Sequence, residues 1–138
     1  MMSLKLILVF TLLTTLFTVN ATQFTSCLGT YVADIQMTPD PPVTGKNITL
    51  NINAKVDKDI GDNGKINVDF FSQQSGFFGD FLSKSFPLPP GIKANDRVLQ
   101  IVQIPAQSSL PTLYQIVITI TRQDDLIAFC AAGIVQTG

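Results

Sequence analysis

Few side chains in this chain could do chemistry. It contains no His, and because Glu is also absent every acidic residue is an Asp. Without His the Ser-His and Cys-His pairs are excluded, as is the commonest metal ligand. Asp124 and Asp125 are adjacent carboxylates, but neighbours at a turn point apart or into solvent and make a poor acid–base pair. Asp57, Asp59 and Asp62 could suggest a calcium loop. The twelve-residue pattern with its closing Glu is missing, so a solvated turn is the simpler reading. Gly61 and Gly64 form no phosphate-binding fingerprint, since no helix follows. The expectation is a protein without catalytic residues, metal or cofactor.

Cys27 and Cys130 remain, and their chemistry depends on the compartment. Lys5 precedes a nearly unbroken apolar run over 6–17, and Val19-Asn20-Ala21 ends on small or β-branched residues. That is the layout of a secretory signal peptide, 1–21, cleaved after Ala21. The run is too short for the roughly 20 residues of a bilayer-spanning helix. In an exported chain two cysteines pair more often than they stay as buried thiols. A Cys27–Cys130 bridge would close a loop of about a hundred residues, for which chain entropy sets an upper figure of roughly 4–5 kcal/mol. Asn47-Ile48-Thr49 is an N-glycosylation sequon, which also suits export. A formal net charge of −1, with no basic cluster, argues against nucleic acid as a partner.

The elements that must position these residues are strands. Ile48, Leu50, Ile52, Ala54 and Val56 alternate with Asn47, Thr49, Asn51, Asn53 and Lys55, a period of two with one face buried and one wet. Ile66, Val68 and Phe70 alternate with Lys65, Asn67 and Asp69. Strands are further expected over 27–37, 98–104, 113–121 and 126–135, the last two joined by a turn at Gln123-Asp124-Asp125. The prolines fall between these segments, where a missing N–H does least harm. Six or seven short strands with intervening turns, in a single domain over 22–138, predict an all-β antiparallel sandwich.

One segment breaks the pattern. Over 70–91 the alternation is lost, and Phe70, Phe71, Phe77, Phe78, Phe81 and Phe86 crowd together beside Gly76, Gly79 and Pro87-Leu88-Pro89-Pro90-Gly91. A loop with so many large rings must bury them in the core, in a cavity or against another apolar surface.

Several stretches resemble the ML lipid-recognition domain family, which includes phosphatidylglycerol/phosphatidylinositol transfer proteins and Niemann-Pick type C sterol carriers. Met37-Thr38-Pro39-Asp40-Pro41-Pro42-Val43-Thr44-Gly45-Lys46-Asn47-Ile48-Thr49 looks like the proline-rich turn leading into the second strand of the phospholipid-transfer branch. Ser85-Phe86-Pro87-Leu88-Pro89-Pro90-Gly91 is similar to a family segment in which Cys-Pro-Leu/Ile opens a strand. Residues 114–130 resemble the family's long strand, polar turn and Cys-containing return strand. Cys27 and Cys130 match the family's outer bridge. Phe86 stands where an inner disulfide would end, and a Phe81–Phe86 contact is the expected substitute.

The resemblance implies an immunoglobulin-like sandwich with an apolar cavity between its sheets. Cavity candidates are Ile48, Leu50, Ile52, Ile66, Val68, Phe70, Phe86, Tyr114, Ile116, Ile118 and Ile120, although any sandwich needs such residues for its core. Phe77, Phe78 and Phe81 are candidates for an apolar lip that touches a membrane transiently. Lys84, Lys93 and Arg97 are candidates to meet a lipid phosphate near that lip, against the plainer reading of solvated charges. The implied function is that of a monomeric, secreted or endosomal/lysosomal protein that transfers phospholipid between membranes. A sterol carrier on the same fold, or an adhesion sandwich that binds no lipid, are the alternatives.

Overall fold

The computed structural model describes residues 21–27, 34–74 and 77–137, with backbone alone for 73–74 and 77–80. The expected signal peptide lies outside the described residues, apart from Ala21. Among the described residues eight strands form two antiparallel sheets: β1 (Phe24–Ser26), β2 (Asp34–Thr38), β3 (Ile48–Lys55), β4 (Lys65–Gln74), β5 (Phe77–Pro87), β6 (Arg97–Ile104), β7 (Leu113–Thr121) and β8 (Ile127–Gln136). The larger sheet has the order β1-β8-β7-β4-β5 and the smaller β2-β3-β6. This is the expected all-β sandwich of immunoglobulin-like type.

Alternation explains the core. On β3 the side chains of Ile48, Leu50, Ile52 and Ala54 are fully buried while Asn51 and Lys55 are exposed. Tyr114, Ile116, Ile118 and Ile120 do the same on β7. The two inner faces merge into one apolar cluster with Val98, Val102, Ile104, Phe129 and Val135. Each fully buried Ile or Leu contributes about 1.5–3 kcal/mol relative to exposure. Gly133 on β8 keeps this face thin: a Cβ there would lie 3.0 Å from the Phe24 ring.

Two expectations need correction. The first strand expected over 27–37 is instead β1 in the larger sheet and β2 in the smaller, so the chain changes sheets; the intervening 28–33 lie outside the described residues. The Phe-rich stretch is not a loop but a long hairpin, with β4 reaching Gln74 and β5 starting at Phe77. Its alternation fails because of a β-bulge: Phe70 pairs with Leu82 and Phe71 with Asp80, leaving Phe81 as the extra residue. One extra residue reverses the in–out parity of everything beyond it.

The bridge between Cys27 and Cys130 is present, with their Cα atoms 5.3 Å apart. It joins neighbours, since β1 pairs with β8 and the Cys27 N–H donates to the Cys130 carbonyl at 3.0 Å.

Candidate functional site

The interior is best described as rows across the larger sheet. Strand register aligns Phe86, Ile66, Ile120 and Phe129; then Lys84, Val68, Ile118 and Ala131; then Leu82, Phe70, Ile116 and Gly133; and finally Tyr114 with Val135. Against them stand Ile48, Leu50 and Ile52 of β3, with Met37 of β2. Every cavity candidate named from sequence therefore lies on an inward row. All are buried except Phe86, which is half-buried on the edge strand β5.

Phe81 is where the structure revises the reading. The bulge turns it toward the interior, where it meets Phe70 edge-on at 5.9 Å and Tyr114 edge-on at 5.7 Å. Phe70 and Tyr114 stack at 5.8 Å. Phe81 remains 37% exposed, so it closes this aromatic triangle from the solvent side. The expected Phe81–Phe86 contact is not made: five steps along one strand are roughly 16 Å. Phe77 and Phe78 open β5 opposite Gln74 and Gln73.

The candidate cations do not gather at a lip. Lys93 and Arg97 belong to the end where β4 begins, whereas the hairpin lies at the far end of β4, roughly 30 Å away for ten extended residues. Arg97 donates instead to Asn53 Oδ1 at 3.2 Å, on the outer face of the smaller sheet. Lys84 sits on an inward row between Leu82 and Phe86, its side chain exposed, an arrangement that discourages pairing at an edge strand.

Tyr114 is the residue whose character the sequence did not disclose. Its ring belongs to the core, at 3% exposure, yet its hydroxyl is buried without a hydrogen-bond partner among the described residues. Burial, with a smaller contribution from the Asp40 carboxylate, pushes its pKa up to about 12, so the phenol is neutral at any physiological pH. Asp40 itself accepts from the Thr22 N–H and hydroxyl, both at 2.7 Å. It sits in the proline-rich turn, where the bonds before Pro39 and Pro41 are cis.

Of the acidic residues weighed for chemistry, Asp57 pairs with the neighbouring Lys58 at 3.4 Å, and two act on the backbone. Asp59 accepts from the Ala94 N–H at 2.8 Å, and Asp124 from the Leu126 N–H at 3.3 Å in the β7–β8 turn. Asn47 of the sequon is exposed, its Oδ1 accepting from the Ala106 N–H at 2.8 Å.

No family model and no curated protein sequence matches the chain. Solved structures do. Chicken MD-1, complexed with lipid IVa, is 18% identical, with a TM-score of 0.56 over 82% of this chain and 87% of that one. A Niemann-Pick type C2 protein from the Japanese carpenter ant is 12% identical, with a TM-score of 0.58 over 86% of this chain and 94% of that one. The likeness is one of fold: this chain shares the β-sandwich of both proteins.

Proposed function

We propose that the protein is a lipid carrier that works without covalent chemistry, taking one lipid between its sheets and passing it between membranes. The observation that carries this reading is the interior itself. Both inner faces are apolar, in a fold that MD-1 shares in complex with lipid IVa. Lipid tails taken between these faces would gain roughly 0.8 kcal/mol per buried methylene. The cargo we propose is a phospholipid of the phosphatidylglycerol or phosphatidylinositol class, in keeping with the proline-rich turn at 37–49.

Export completes the proposal. Cleavage after Ala21 would turn the Thr22 nitrogen, 2.7 Å from Asp40 Oδ2, into an α-ammonium. A hydrogen bond already assisted by the carboxylate charge would then become an ion pair. A glycan on Asn47 would stand on the exposed turn before β3.

The test is transfer of labelled phospholipid between vesicles, with labelled sterol in parallel. Phospholipid transfer above the spontaneous rate is expected. Transfer of sterol alone would replace the phospholipid reading, and transfer of neither would overturn the carrier. Replacing Phe77 and Phe78 by Ser should slow transfer more than it lowers stability, and unchanged transfer would remove them from the mechanism.

A further inference from the structure

A hydroxyl buried without a partner is costly, because it has given up water and received nothing in return. Tyr114 is in that position. Two sides of its ring are closed by Phe70 and Phe81, neither of which offers a hydrogen-bond acceptor in the ring plane. The Asp40 carboxylate, which acts on it electrostatically, is held by Thr22 and is not bonded to it. A Phe at this position would pack the same triangle without the cost. The hydroxyl is thus a polar point on a mostly apolar inner face, at the end of β7 nearest the β4–β5 hairpin, where buried Ser72 follows Phe70 on the inward side of β4.

We propose that Tyr114 is a ligand-binding residue, its O–H donating to an uncharged oxygen of the cargo. This inference rests on the lipid-carrier reading and adds an anchor to it. The oxygen must be uncharged, because an anion placed among Phe70, Phe81 and Val135 would lose its hydration without a cation to replace it. An ester carbonyl of an acyl lipid and the alcohol of a sterol share that chemistry. The anchor also gives the cargo a direction. Its polar end lies by the hairpin, and its tail runs along the rows toward Ile66, Ile120 and Phe129.

The test is binding of three probes to the wild type and to Tyr114→Phe: a diester phospholipid, its diether analogue, and cholesterol. An ordinary net hydrogen bond predicts that the substitution weakens the ligand carrying the right oxygen by about five- to ten-fold. It leaves the diether analogue, a poor acceptor, within about two-fold. Loss confined to the diester identifies an ester carbonyl; loss confined to cholesterol identifies the alcohol. Thermal stability of the ligand-free variant should be equal to or above wild type. If the wild type binds none of the probes, the carrier reading fails. If it binds them and Tyr114→Phe binds all equally, a trapped water satisfies the hydroxyl and the anchor alone is overturned.

Discussion

The larger sheet ends in two unlike edges. At one, β1 has only three residues, too few to hold by ladder bonds alone, and the Cys27–Cys130 bridge fastens it to β8. At the other, β5 runs for eleven residues, is paired along its length with β4, and carries a bulge rather than a covalent tie. The short edge is held against loss; the long edge is shaped. Its bulge brings Phe81 inward onto Phe70 and Tyr114, so the edge without a disulfide is the one that borders the unpartnered hydroxyl. The covalent tie sits where the edge strand is shortest, and the bulge sits where the edge strand is longest.

That contrast can be broken at either side. The largest effect is expected from removing the staple. Cys27→Ser with Cys130→Ser should cost about 4 kcal/mol if the unfolded chain behaves ideally, for cysteines 103 residues apart. Denaturant melts of the two forms measure it, and an unchanged midpoint would mean the short edge needs no staple.

Next in size is the pH dependence at the aromatic triangle. Tyr114 has its pKa raised from 10.0 to about 12 in the folded protein. Unfolding therefore releases its proton more readily in between. Stability is fully present below pH 10 and falls by up to about 2–3 kcal/mol as pH rises to about 12. Tyr114→Phe should flatten that part of the difference curve, and parallel wild-type and variant curves would contradict the assignment.

Asp40→Asn sharpens the comparison near the chain start. Losing a charged acceptor for two Thr22 donors should cost about 1–2 kcal/mol in thermal unfolding of a chain made to begin at Thr22. The cost should shrink when an extra residue precedes Thr22, because the ammonium is then gone. Equal losses in both forms would remove the charge from the account.

The smallest expected effect is the most specific. Deleting Phe81 leaves the pairs Phe70↔Leu82 and Phe71↔Asp80 in continuous register, so the sheet should fold at a cost of about 1 kcal/mol. Lipid transfer should nevertheless change, because the triangle is opened. Normal transfer by the deletion variant would show that the bulge is only a feature of the fold.

Much of this fold was legible in sequence, for a reason particular to β3 and β7. Each is wet on one side and dry on the other, so period two is written directly into Ile48, Leu50 and Ile52 or Ile116, Ile118 and Ile120. β1 was hidden because three residues carry no period; Phe24 and Ser26 become a strand only through pairing with β8. β5 was hidden because one extra residue shifts its parity, which turns an alternating strand into an apparent Phe-rich loop. The cavity candidates were readable as inward residues. The state of the Tyr114 hydroxyl was not, since it depends on what β4 and β5 bring beside it from other parts of the chain.

The central claim is that a lipid belongs between the sheets. Native mass spectrometry of the protein purified from its own source tests it most directly. A population heavier than the lipid-free protein by one lipid is expected, released on collisional activation and identified as a molecule with an ester or alcohol oxygen. A chain that flies without lipid, and stays so after incubation with phospholipid and sterol vesicles, would contradict it.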